Sequence, residues 1–327
     1  MKQQWIERPE GGSLLGLRMI RAFALFCGRR VTRIALWPIS LYFLLRRGPE
    51  RKASRDYLQR VLAQRPPLGQ VARHFHSFSA TILDRVFLFS ERFRRFDIRH
   101  EGLEELRSAW KLHQGVLVFG SHLGSFDALR VFSQLREDVK FRVVIDVEQN
   151  PGVSNVLSAL NPTLAAAIIN ARQDGTTTAL AIKEALDEKA IVTMLVDRAR
   201  PGNQVREAEF LGAPAPFPTA PWLLAATLKV PVVLCFGLYR GGNRYDFHFE
   251  LFAETLVIER GRREAALQDI VQRYADRLAH YTRMAPYNWF NFYDFWQPQT
   301  GGNARRPNDV VRAGSDASGP PSGSHAT

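Results

Sequence analysis

The chain has 327 residues, enough for one large α/β domain with appendages or for two modest ones. With 46% apolar and 23% charged residues it is neither a low-complexity chain nor a polytopic membrane protein. Two cysteines, Cys27 and Cys235, are too few for a disulfide framework or a cysteine zinc site, and they suit a reducing compartment. The formal net charge of +12 is confined to the first third, where residues 1–100 carry 20 Lys and Arg against 7 Asp and Glu. Nucleic acid and anionic lipid are the usual partners of such a block. Lipid is favoured, because these basic residues are interleaved with bulky apolar runs.

Residues 14–27 and 34–45 are two such runs, separated by Arg29, Arg30 and Arg33. Neither reaches the roughly 20 residues that span a bilayer. Joined as one span they would bury the arginines at about 2.5–3.5 kcal/mol each. Two helices lying in one leaflet avoid that, with Arg18, Arg21, Arg46, Arg47, Arg51 and Lys52 near the headgroups; a pair of core helices is the alternative. Arg18 and Arg21 interrupt the first run and no small-residue cleavage site stands out, which argues against a secretory signal.

Helices are expected at 51–62 and 71–93, the second with Phe75, Phe78, Ile82, Val86 and Phe89 along one face. His74 and His76, two positions apart, point to different sides, so they read as satisfied helix histidines and not as a metal pair. A strand at 96–102 and a helix at 104–112 follow. The continuous apolar run 115–120 has the pattern of a buried strand; 121–124 is a small-residue loop, and Ser125 is the N-cap of a helix over 126–134. Strands at 141–147, 166–170 and 190–196 then alternate with helices at 153–161 and 177–188. A helix at 220–229 leads to strand 230–239, which a turn at 240–243 joins to strand 244–252. This alternation predicts an α/β fold with a central mixed, largely parallel sheet flanked by helices. A helix over 262–284 precedes the aromatic run 287–296, which either seals the core or sits at a lipid interface. The expected organisation is a membrane-associated helical region at 1–95, an α/β catalytic domain at 96–297, and a disordered tail at 298–327 that is poor in large apolar residues.

The chemistry concentrates in Gly120-Ser121-His122-Leu123-Gly124-Ser125-Phe126-Asp127. On one continuous helix His122 and Asp127 would be about 140° apart and would not meet. A turn at Gly124 leaves His122 in the loop and Asp127 in the first helical turn, where the carboxylate can bond the imidazole and is stabilised by the helix N-terminus. A His oriented by an Asp at a strand end is the general-base half of a triad that lacks a protein nucleophile. The plain alternative is a Ser-capped helix with a surface His. No G-x-S-x-G elbow, P-loop or G-x-G-x-x-G is present.

With His-x-x-x-x-Asp after an apolar strand, the chain resembles the glycerolipid acyltransferase superfamily, most closely its bacterial branch of lipid A biosynthesis (lauroyl and myristoyl) acyltransferases. The stretch Trp37-Pro38-Ile39-Ser40-Leu41-Tyr42-Phe43-Leu44-Leu45, followed by Arg51 to Leu58, is similar to how that branch begins, particularly in members that accompany aryl-polyene pathways. The resemblance implies an O-acyltransferase at the cytoplasmic face of the inner membrane. Its donor would be an acyl carrier protein thioester, its acceptor a lipid hydroxyl, and neither cofactor nor metal is implied. His122 would be the base and Asp127 its orienting acid. Arg172 matches the arginine of the second family block. Glu209 to Gly212 and Pro216 to Thr219 match a third, a loop lining the acceptor pocket through Gly212 and Thr219. Asp197 stands where the branch commonly has an acidic residue, and Ser125 and Arg172 are candidates to steady the oxyanion. A thioesterase using water as acceptor, or a catalytically silent membrane scaffold, are the alternative readings.

Overall fold

A computed structural model of the protein describes residues 14–88, 95–113, 115–125, 139–146, 167–171, 175–199 and 202–297. The helices expected at 126–134 and 153–161, the tail from 298, and the candidate residues Asp127 and Arg172 lie outside them. The strands in chain order are β1 (Asp97–Glu101), β2 (Val116–Gly120), β3 (Phe141–Ile145), β4 (Ile168–Asn170), β5 (Ile191–Leu195), β6 (Val205–Phe210), β7 (Ala213–Pro218), β8 (Val232–Gly241) and β9 (Arg244–Ala253). Seven of them form one sheet in the order β1-β9-β8-β2-β5-β3-β4. Every neighbouring pair in it is parallel except the β8–β9 hairpin, so the sheet is mixed and largely parallel, as expected. The helices are α1 (Leu14–Arg46), α2 (Gly48–Leu62), α3 (Leu68–Leu88), α4 (Leu103–His113), α5 (Gly175–Asp187), α6 (Ala220–Leu228) and α7 (Arg263–Met284).

The apolar run of β2 is buried at every position because alternate side chains enter two different cores. Leu117 and Phe119 face a layer built from Ile182 of α5, Trp222 of α6 and Leu267, Val271, Tyr274 and Leu278 of α7. Tyr57 and Leu58 of α2 and Val71 and Phe75 of α3 join that core. Val116 and Val118 face Leu83, Val86 and Phe87 of α3, Leu106 of α4 and Leu36 of α1.

One segment departs from the reading as a loop. Residues 205–218 form a two-stranded antiparallel hairpin, β6–β7. Pro214, Pro216 and Pro218 all lie in β7. The Thr219 N–H donates to Gln204 O at 3.1 Å, and alternation from that pair puts all three prolines at positions whose missing N–H faces away from β6. The other edge of β6 is satisfied by side chains of α7. Gln272 accepts from Glu209 N–H at 2.8 Å and donates to Glu209 O at 3.1 Å, and Gln268 donates to Glu207 O at 2.8 Å. Leu211 and Gly212 turn the hairpin with φ of 52° and 85°, the pair of positive angles that a two-residue type I′ turn requires.

The two N-terminal apolar runs are one helix element broken at Gly28, whose φ of 79° and ψ of 168° are non-helical. Beyond the break α1 is turned inside out. Thr32, Leu36, Ser40 and Leu44, at intervals of four, are buried, whereas Ile34, Trp37, Leu41 and Leu45 on the opposite face are each more than half exposed. Polar bonds hold it down. Arg29 forks onto the fully buried Asp84 of α3, with Nε to Oδ1 and Nη2 to Oδ2 both at 2.7 Å, and Tyr245 donates its hydroxyl to the same carboxylate at 2.8 Å. Arg29 and Arg33 both donate to Gly242 O in the β8–β9 turn, and Arg33 donates to the Tyr239 hydroxyl. Arg51 donates to Leu44 O at 2.8 Å and caps the last carbonyls of α1.

Removing one partner of a buried ion pair strands the other charge, at about 3–5 kcal/mol. Arg29→Ala is therefore expected to destabilise the protein by about that amount in denaturant titration. Arg30→Ala, one position along on the exposed face, should stay within about 0.5 kcal/mol.

Candidate active site

The parallel register of β2 and β5 positions the site. Gly120 lies opposite Leu195, so the residues two beyond each strand end, His122 and Asp197, leave the sheet side by side at its carboxyl edge, where open α/β sheets bind ligands. They are bonded twice. His122 Nδ1 lies 2.7 Å from Asp197 Oδ1, and the His122 backbone N–H donates to Asp197 Oδ2 at 3.1 Å. Trp289 adds a third bond, donating its indole N–H to Oδ2 at 3.1 Å. Asp197 is fully buried and the His122 side chain is 31% exposed, so the carboxylate is sealed while the imidazole reaches the surface.

Charge follows from these contacts. Burial by itself would raise the Asp197 carboxyl, but the bond and charge of His122, with Arg198 beside it, hold it at about 2. Burial lowers the His122 imidazole, Arg198 and more weakly Arg85 push it the same way, and Asp197 only partly opposes them. At neutral pH the pair is thus carboxylate and neutral imidazole. An ionised carboxylate only accepts, so Nδ1 carries the proton and Nε2 presents its lone pair. That is the state a general base needs.

Two glycines let the loop come this close. Gly124, at φ 69°, pairs with Gly237 of β8, and a Cβ on it would stand 1.9 Å from Gly237 O. A Cβ on Gly237 would meet Ser125 O and the Phe247 ring at 2.8 Å. On the other side a strap of residues 285–296 clamps the loop: Gly124 N–H donates to Asn288 O at 2.8 Å and Phe290 N–H to His122 O at 2.9 Å. Arg198 fastens the strap in turn, from Nε to Asn291 Oδ1 at 2.5 Å and from Nη2 to Phe290 O at 2.6 Å. Beneath the loop, Tyr274 of α7 donates its hydroxyl to Gly120 O at 3.2 Å.

Of the residues singled out from the sequence, the structure brings together His122, Asp197 and the Ser125 loop. Asp127 and Arg172 lie outside the described residues. The Ser125 N–H, expected to face an oxyanion, is committed to Gly237 O at 2.9 Å. Its hydroxyl and that of Ser121 are both buried and, among the described residues, have no hydrogen-bond partner. Gly212 is exposed at the hairpin turn, and Thr219 bonds Gln204 O at the start of α6; no described contact joins either to the His122–Asp197 pair. The aromatic run 287–296 does seal the core, and sequence reading missed that it also holds the site. Its signal was Asn288 and Asn291, buried amides amid aromatic rings that need partners. His74 is a satisfied, fully buried helix histidine, bonded to Ser54 Oγ and Trp289 O. Among the described residues no three His, Cys, Asp or Glu gather as a metal site.

The depressed imidazole fixes a pH dependence. His122 stays mostly neutral down to its folded pKa, which lies below the ordinary 6.5, so the acid-side midpoint of kcat/KM should lie below pH 6.5, with activity lost as pH falls through it. Asp197→Asn, which removes the charge that supports the imidazolium, should lower the rate by about 10²–10⁴. A larger loss from Asp127→Asn than from Asp197→Asn, in steady-state assays, would give the orienting role to Asp127.

The family model for bacterial lipid A biosynthesis acyltransferases matches residues 31–297, most of the chain. The match is to the family as a whole and does not single out members that accompany aryl-polyene pathways. No curated protein sequence matches significantly.

Proposed function

Because the chain belongs to the bacterial lipid A biosynthesis acyltransferase family, and is therefore an acyltransferase, we propose that it moves an acyl chain from an acyl carrier protein thioester to a hydroxyl of a lipid A-like acceptor, with His122 as base. His122 Nε2 takes the proton as the acceptor oxygen attacks the thioester carbonyl. The tetrahedral intermediate collapses, and the leaving thiolate receives the proton from the imidazolium. Asp197 keeps the proton on Nδ1 and stabilises the imidazolium between the two steps. The observation that carries this reading is the locked Nδ1–Asp197 bond beside two serines that, among the described residues, have no hydrogen-bond partner. A serine nucleophile is ordinarily within bonding reach of the base; its absence from the bonds of His122 favours a hydroxyl supplied by substrate. With the amides of His122, Gly124 and Ser125 already committed, the Ser121 and Ser125 hydroxyls are the loop donors this reading assigns to the oxyanion.

Purified protein with an acyl carrier protein thioester and an extract of bacterial lipid is the direct test, read by mass spectrometry. The expected product is an acylated lipid, and His122→Ala should reduce its rate by about 10²–10⁴ while leaving the fold intact. Free fatty acid in place of acylated lipid would identify a hydrolase, and absence of both products would identify a silent scaffold.

The same reading seats the protein on the cytoplasmic face of the inner membrane. No helix among the described residues is long and apolar enough to cross a bilayer. Ile34, Trp37, Leu41 and Leu45 present an apolar stripe outward, in a region that carries the basic excess. The protein should float with vesicles of phosphatidylglycerol and phosphatidylethanolamine and stay bound in high salt, which screens charge but not apolar burial. The triple change Ile34→Ser, Leu41→Ser, Leu45→Ser, all at exposed positions, should release it without lowering its melting temperature. Full-length protein that ignores vesicles would refute this placement.

A further inference from the structure

Trp289 stands where three sets of bonds meet. Its indole N–H holds Asp197 Oδ2, its backbone pairs with Leu123 beside His122, and its carbonyl lies 3.0 Å from Nε2 of His74. A carbonyl only accepts, so His74 carries its proton on Nε2, and its Nδ1 accepts from the Ser54 hydroxyl at 2.8 Å. Burial lowers His74 to about 4, against the opposing Trp289 bond, and keeps it neutral. A fully buried Trp is therefore gripped from behind by a neutral histidine while it donates forward to a buried carboxylate.

We propose that Trp289 is a positioning residue for the acyl transfer: its indole N–H pins one oxygen of Asp197 so that the other stays on His122 Nδ1. The proposal rests on the acyl-transfer reading. Packing alone does not explain a tryptophan here. Phe210, Tyr57 and Phe295 surround the ring at centroid distances of 5.1, 5.1 and 4.8 Å, contacts that another aromatic ring would also make. Only an indole reaches Oδ2 with a donor. Without it that oxygen keeps just the 3.1 Å bond from the His122 amide, and the carboxylate gains freedom to turn about its Cβ–Cγ bond.

The test replaces Trp289 in the full-length protein by 3-benzothienylalanine, in which sulfur stands for the N–H and the shape is kept, with Trp289→Phe as the second variant. Two quantities are read: kcat and KM for both substrates, and the pH midpoint for modification of His122 by diethyl pyrocarbonate, followed by peptide mass spectrometry. The second needs no turnover, so it decides the positioning role even if the acyl-transfer reading fails. Arg198 and Arg85 push the His122 midpoint down and Asp197 pulls it up; Tyr274 and Tyr293 also face the pair. With Oδ1 free to leave Nδ1, Asp197 supports the imidazolium less. The midpoint should fall, kcat should fall about 10-fold or more, and KM should hold within about two-fold. An unchanged midpoint overturns the proposal, even where kcat falls, because that pattern is general disturbance of packing.

Discussion

A carboxylate with no exposure to water has to find its donors inside the protein, and Asp197 sets that requirement at the centre of this molecule. Its two oxygens are met by the imidazole and amide of His122 and by the indole of Trp289. These groups come from three distant parts of the chain, and the bonds that satisfy the charge also assemble the site. Each bond to an ionised group is worth about 1.5–3 kcal/mol when made and costs the desolvation of the charge when missing. Loop, strand end and strap are accordingly held to one arrangement.

Backbone geometry makes that arrangement reachable. The β2–β5 register brings residues 122 and 197 to the same edge. The loop then descends onto β8 at a contact that no side chain permits, Gly124 against Gly237. Its amides are spent on holding that position: on Asn288 and Gly237 carbonyls, and on Asp197. A loop whose own donors are committed is rigid, and it leaves recognition of substrate to hydroxyls and to the imidazole. This division suits a base that must present one lone pair in one direction.

Sequence alone disclosed the alternation of strand and helix, the buried β2 and the loop His122, because each is a local pattern of period, composition or turn chemistry. It did not disclose the partner bonded to Nδ1. Asp127, the acidic residue near in sequence, lies outside the described residues; Asp197 is bonded to Nδ1, and only the knowledge that β2 and β5 are neighbours connects it to His122. The hairpin at 205–218 was hidden for a similar reason: three prolines forbid a central strand, but β7 pairs with β6 through the residues between them, and that register is not a local pattern. Tyr287 to Trp296 was legible as apolar mass, not as a clamp, since the amides and indole that do the clamping are a minority within it.

The β8–β9 hairpin is where these parts are joined. Its turn takes the arginines of α1 on Gly242 O, with Tyr239 and Tyr245 completing the Asp84 cluster. A few residues back along the same strand, Gly237 O holds the Ser125 amide, and the Tyr239 N–H donates to Asn288 Oδ1 of the strap at 2.6 Å. One hairpin thus carries the anchor of the outward apolar helix, one fixing of the His122 loop and one of the strap. The orientation of His122 relative to the α1 stripe is set over the short span of 237–245, from the buried part of β8 through the turn into β9. On the proposed reading, an enzyme that takes its acceptor from a lipid surface needs that relation fixed, because a base at His122 would meet a hydroxyl whose depth the membrane determines. The buried Arg29–Asp84 pair, costly to desolvate and weak as a source of stability, makes sense in these terms: it specifies where α1 sits on the hairpin, which apolar contacts alone would leave free to slide.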